Sequence, residues 1–98
     1  MSLAIYKYEI ALINPRAATA QDFGLVSMPK GARVIHAQDQ RGSIYLWAIV
    51  DLEEKTTENK RFLVVGTGQP FDKSDLIHMR HIATFLSGIF VWHVFEWV

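Results

Sequence analysis

The chain has 98 residues, half of them apolar and 12% aromatic, which is one domain by size with enough apolar surface for a real core. Ten bases balance ten acids, so the electrostatic footprint of a nucleic-acid binder is missing. With no cysteine, a disulfide framework, a thiolate metal site and a cysteine nucleophile are all excluded, and a reducing, cytoplasmic setting fits. An apolar chain with so little self-repulsion is expected to associate with itself, which makes a homo-oligomer the default partner. The amino terminus lacks the residue order of a signal peptide, and no apolar run approaches the roughly 20 residues of a membrane span, so no membrane partner is expected. Residues 1–3 are readable as an expression remnant.

In chain order, AIYKYEIALI (Ala4 to Ile13) alternates, with Tyr6, Tyr8, Ile10 and Leu12 on one face, and predicts a half-buried strand at a sheet edge. Asn14-Pro15 breaks it, and the following residues to Gly24 read as a loop with room for one helical turn. Leu25 to Met28 is a short strand closed by the Pro29-Lys30-Gly31 turn, after which Ala32 to Gln40 is extended. The polar turn Gln38 to Gly42 joins that strand to the next in a hairpin.

The stretch Ser43 to Gly68 is the expected organiser of the fold. Ile44 to Val50 is seven apolar residues in a row, which suits a central strand buried on both faces, with Leu46, Ala48 and Val50 setting one side. The charged EEKTTENKR then reads as a solvated turn. Ile44 to Leu52 is expected to pair antiparallel with Lys60 to Val65 in a long hairpin, which makes a three-strand meander from Ala32 to Val65. Gly66 and Gly68 end it.

Ser74 to Leu86 is ambiguous, because Leu76, Met79, Ala83 and Leu86 fall at helical spacing between a Ser74 cap and Gly88. Ile89 to Val98 is apolar except for His93 and Glu96, and is a second buried strand that its own sheet or another chain must cover.

The motifs Tyr6-Lys7-Tyr8, Met28-Pro29-Lys30-Gly31-Ala32, Leu46-Trp47-Ala48, Phe62 with Gly66-Thr67-Gly68, and Phe90-Val91-Trp92-His93-Val94-Phe95-Glu96 occur in that order. Together they make a chain that resembles a family of short uncharacterised proteins of about this length from bacteriophages, prophages and some bacteria. The resemblance implies a β-rich domain in a phage-type, intracellular setting and supplies no activity. It also implies a short turn or helix at Ser74 to Met79, then a strand.

Gly66-Thr67-Gly68-Gln69 is a candidate ligand-binding turn, because glycines let a ligand approach the backbone and offer N–H groups to an anion. It lacks the lysine of a phosphate-binding loop, so a structural turn is its plain reading. Arg80 and His81 are candidates to meet an anionic ligand beside it. His78 and His81 share a face on a helix, but two imidazoles make an incomplete metal site, so no metal and no cofactor is expected. His93 is a core or interface histidine satisfied by a backbone or carboxylate partner such as Glu96, although two residues lie between them and a strand puts the two on opposite faces. Trp47 is expected in the core, and Trp92 and Trp97 at an interface. Ser27, Ser43, Ser74 and Ser87 lie outside any nucleophile elbow, and the acids Glu53, Glu54 and Glu58 sit in the exposed loop, so an enzyme is not expected.

These readings combine into residues 1–98 as a single, mainly β domain, an antiparallel sandwich or open barrel of six or seven strands with at most one short helix. The function expected is a non-catalytic, phage-type binding protein that works through protein–protein interaction as a homo-oligomer. The alternative is sequestration of a small anionic, nucleotide-like ligand, with a small enzyme third. A host protein or such a ligand is the outside partner in question.

Overall fold

The computed structural model describes residues 2–10, 12–13 and 22–98. The strands are β1 (Leu3–Glu9), β2 (Leu12–Ile13), β3 (Asp22–Pro29), β4 (Arg33–Gln40), β5 (Ser43–Asp51), β6 (Thr57–Gly66), β7 (Met79–Ser87) and β8 (Phe90–Trp97), with a 3-10 helix at Lys73–His78. They form an antiparallel β1-β5-β4 sheet and an antiparallel β2-β3-β6-β8-β7 sheet, in which β2 has only two residues. Seven strands of seven or more residues thus make the expected sandwich, with no closed barrel. The loop expected after Asn14 lies largely outside the described residues, but its last three, Asp22 to Gly24, are strand, so β3 begins earlier than the expected Leu25.

Period-two burial builds the core. Leu46, Ala48 and Val50 of β5 and Val34 and Ala37 of β4 meet Val26 and Met28 of β3, Phe62 and Val64 of β6, Ala83 of β7 and Val94 of β8, all buried. Each strand sends alternate side chains into the space between sheets about 10 Å apart. Tyr8 and Ala4, on the face expected for β1, pack against the same cluster.

Four expectations about the organising stretch are corrected. β5 is central in its sheet, but Tyr45, Trp47 and Ile49 stand half-buried on the outer face, so one face alone is fully covered. Trp47 is therefore not a core residue, and its ring lies 5.9 Å from that of His36. The long hairpin does not form: β5 pairs with β1 and β4, whereas β6 pairs with β3 and β8. The segment from Leu52 to Thr56 crosses to the facing sheet, and five extended residues reach about 17 Å, more than the sheet spacing. The charged stretch is not all loop either, because β6 begins at Thr57 and pairs with β3 along its polar half.

The hairpin between β4 and β5 does form. Arg41 and Gly42 connect Gln40 to Ser43 with φ of 57° and 86°, as a type I′ turn requires. Lys73–His78 is a 3-10 helix followed by a strand, as the resemblance implied. Asp72, not Ser74, caps it, accepting from the Ser74 N–H at 2.9 Å. Gly88 does not stop a helix: at φ 62° it turns β7 into β8. The terminal strand β8 is covered within its own sheet, between β6 and β7.

Edge strands β4 and β7 pack side by side without a ladder between them among the described residues. Side chains join them instead. Arg80 Nη2 donates to the Val34 carbonyl at 3.1 Å, and the Ser87 hydroxyl donates to the Asp39 carboxylate. The Ser87 bond, aided by the Gly42 N–H, holds the Asp39 carboxyl below its ordinary 3.8. The Ser74 N–H and hydroxyl do the same for Asp72. A depressed folded-state pKa contributes stability above the unfolded value that is lost as pH falls through the folded one. The melting midpoint is therefore expected to hold from neutral pH to about 5 and to fall below about 4. Calorimetry across that range checks this, with a shallower acid slope expected for Asp39→Asn.

Candidate functional site

The outer face of the five-stranded sheet carries the clearest constellation of polar side chains. Its register sets Val65 of β6, His93 of β8 and Thr84 of β7 in one row across the sheet. The imidazole of His93 lies between two hydroxyls, with Nε2 2.8 Å from Thr67 Oγ1 and Nδ1 3.0 Å from Thr84 Oγ1. Thr84 Oγ1 is in turn 2.9 Å from Nε2 of His81. The bulge between His81 and Ala83 places His81 opposite Phe95, with ring centroids 5.4 Å apart and edge to face. Phe71 meets the same Phe95 at 5.9 Å.

The result is one hydrogen-bonded chain, Thr67–His93–Thr84–His81. Each neutral imidazole has one donor and one acceptor, and each hydroxyl gives one proton, so the chain can run in either direction with every bond made. Thr67 and His93 have the separation of a nucleophile and its base. The second nitrogen of His93, however, meets a hydroxyl where an orienting group would be a carboxylate.

The Gly66–Gln69 turn closes with Gln69 N–H on the Gly66 carbonyl at 3.0 Å. Gly68 has φ of 88°, as the third residue of a type II turn needs. A Cβ on Gly66 would lie 3.0 Å from Gln69 Oε1 and 3.2 Å from Trp92 Cζ3, tighter than ordinary contact, so a larger residue there requires these side chains to shift. The Gly66 N–H donates to Gln69 Oε1 at 2.7 Å and the Thr67 N–H to the Val91 carbonyl at 3.0 Å. Three of the four backbone donors that an anion would need are therefore engaged within the fold.

The candidate residues separate accordingly. Gly66, Thr67, Gly68 and Gln69 line a cavity of about 240 Å³ with Val65, Phe71, His93 and Phe95. His81 joins it through Phe95 and Thr84. Arg80 does not, because adjacent strand residues face opposite ways. Its guanidinium meets Glu96 at 2.8 Å on the inner side, where Glu96 is 3% exposed and also pairs with Lys60 at 3.2 Å. His93 and Glu96 accordingly have separate partners. His78 ends the 3-10 helix while His81 lies in β7, and no group of three or more metal-ligating side chains occurs among the described residues.

Trp97 is half-buried with the Arg61 guanidinium 4.4 Å over its ring, so it offers no flat apolar patch. Trp92 packs against the core and lies 5.9 Å from Phe90. With Gly66, Thr67, Gln69, Ile89, Phe90 and Val91 it lines an open groove of about 520 Å³. The groove ends at the tip of the β7–β8 hairpin, where Leu86, Ile89 and Phe90 are 70%, 90% and 60% exposed. Sequence reasoning passed over these three and Thr84. The signal was the pair Gly88-Ile89 between two strands, which turns a run read as buried strand into a hairpin tip.

A family model described as domain of unknown function (DUF7352) matches residues 1–98. The chain belongs to the DUF7352 family. Comparison with curated proteins and with solved structures gave no match. The motifs that carried the resemblance fall across this DUF7352 domain in β1, the β3–β4 turn, β5, the end of β6 with its turn, and β8. No helix among its described residues is long and apolar enough to cross a membrane.

Proposed function

We propose that this DUF7352 protein is a non-catalytic, phage-type binding protein that acts in the host cytoplasm through protein–protein contact, as a homo-oligomer. The observation that carries the reading is the hairpin tip, where Ile89 and Phe90 stand exposed and line the open groove with Trp92, while Leu86 is exposed on the other face of the hairpin. Large apolar side chains grouped at one place on a surface favour contact with another protein. The occupant they suit is an apolar peptide segment, because Ile89, Phe90, Val91 and Trp92 line the groove.

The second reading, capture of a small anionic ligand, has its support in the cavity between Thr67, Gln69, Phe71 and His93. The engaged N–H groups of the turn and the inward course of Arg80 weigh against it.

Native mass spectrometry of the protein purified from its own host tests both. A stoichiometric protein partner is expected, with occupancy reduced about tenfold or more in Ile89→Asp/Phe90→Asp, a loss of hot-spot contacts that leaves the fold intact. A partner retained in full by that variant, or a small ligand in place of a protein, overturns the reading. Sedimentation at micromolar concentration is expected to give a mass above the 11.2 kDa of one chain.

A further inference from the structure

Three of the four sheet edges among the described residues are blunted. β4 is bulged between Val34 and His36 and packs beside β7. β7 is bulged between His81 and Ala83, β2 has only two residues, and the stretch of β3 beyond it, residues 25–29, ends in Pro29. β1 is different: its seven residues, LAIYKYE, contain neither bulge nor proline, and its one described partner is β5. A regular edge with no cover among the described residues is a template for another strand.

The ends of β1 show which backbone groups are free. Leu52 N–H donates to the Ser2 carbonyl and Ile10 N–H to the Ile44 carbonyl, so even-numbered residues direct their backbone groups toward β5. Leu3, Ile5, Lys7 and Glu9 direct theirs off the edge. On the outer face Leu3 and Ile5 are 61% and 60% exposed. A lysine on an edge strand normally guards it. Lys7, however, lies back over its own sheet, with Nζ 2.6 Å from Gln40 Oε1 and 4.3 Å from the Tyr45 ring centre.

We infer that β1 pairs with β1 of a second copy of this chain, antiparallel, about a two-fold axis at Tyr6. The inference rests on the homo-oligomer reading above and names its interface. An antiparallel pair about a two-fold axis lets one surface serve on both sides. Tyr6 is the midpoint of Leu3–Glu9, so this register overlaps the two strands completely. Leu3 then faces Glu9, Ala4 faces Tyr8, and Ile5 faces Lys7. Every odd-numbered residue meets another, and these are the pairs that exchange two backbone hydrogen bonds each. No like charges stand directly opposite, which would be unfavourable. The zero formal charge of the chain adds no net repulsion between copies. The two three-stranded sheets become one of six, and the outer stripe of Ile5, Ile49 and Trp47 continues across the axis.

The absence of cysteine gives a direct test. Tyr6 pairs with itself at a site without mutual hydrogen bonds, where Cα atoms come within about 4.5 Å, inside the span of a disulfide. Tyr6→Cys is expected to oxidise rapidly to a symmetric dimer, unlike Leu25→Cys on exposed β3. Ile5→Pro removes an N–H that points off the edge, a place where a strand tolerates proline. Sedimentation is expected to show its self-association weakened about a hundredfold, with an unchanged circular dichroism spectrum. Tyr6→Cys crosslinking no faster than Leu25→Cys, or folded Ile5→Pro associating like the wild type, overturns the β1 interface and leaves the homo-oligomer reading standing. A wild-type chain that is monomeric at 100 µM, about the upper working range for such associations, overturns both. If Ile5→Pro does not fold, the cysteine comparison decides.

Discussion

Glu96→Ala is expected to lower the unfolding free energy by about 3 kcal/mol, because it leaves two cations facing each other at the rim of the core. Glu96 is the buried acid of the described residues, and its two oxygens are divided between Lys60 at 3.2 Å and Arg80 at 2.8 Å. Arg80 also donates to the Val34 carbonyl, so the carboxylate holds in place the side chain that ties β7 to β4. Breaking a buried ion pair from one side costs about 3–5 kcal/mol. The lower end applies here, because Arg80 and Lys60 both keep some contact with water and can turn toward it. Glu96→Gln retains an acceptor at the same place and is expected to lose less. Urea denaturation measures both, and a loss below about 1 kcal/mol for the alanine variant would show that the carboxylate does not hold the corner together.

Phe62→Ala is expected to cost more, about 3–5 kcal/mol. Phe62 is fully buried in β6, which lies between β3 and β8, and its ring belongs to the cluster that both sheets share. Removing it forfeits the transfer free energy of the ring and leaves a cavity that paired strands on either side cannot close. Domains of this size have a total stability of about 5–15 kcal/mol, so the variant approaches the limit of folding. Chemical denaturation followed by tryptophan fluorescence is the measurement, since Trp92 packs on the same cluster. A midpoint shift worth under about 1.5 kcal/mol would mean that the site collapses around the missing ring.

Most of the strands were legible in the sequence, because each carries a period-two or apolar run bounded by proline or glycine. The Arg41-Gly42 turn was legible for the same local reason. What misled was adjacency. Ile44 to Val50 and Phe62 to Val65 are the two most apolar runs of the middle of the chain, and a charged loop between them looks like a hairpin. Nothing local says that the edges of β5 are taken by β1 and β4 and those of β6 by β3 and β8. Trp47 was misplaced for a related reason: in a run without polar residues, alternation has no marker, and only the facing sheet decides which parity is inside. The candidate site divided in the same way. His81 and Thr67 belong to one hydrogen-bonded chain, and Arg80, one residue away, belongs to the ion cluster on the other side of the sheet.

The sequence by itself determined that this protein is mainly β, where the turns at Pro29 to Gly31 and at Arg41-Gly42 fall, and that Gly66 to Gln69 is a turn, since all of these follow from backbone preference and side-chain alternation within a few residues. Tertiary structure alone decided which strands share a sheet, that Glu96 is buried between Lys60 and Arg80, and that Leu86, Ile89 and Phe90 are left outside at a hairpin tip. These depend on contacts between segments up to dozens of residues apart, whose free energy is set by burial between two sheets and leaves no trace in local spacing.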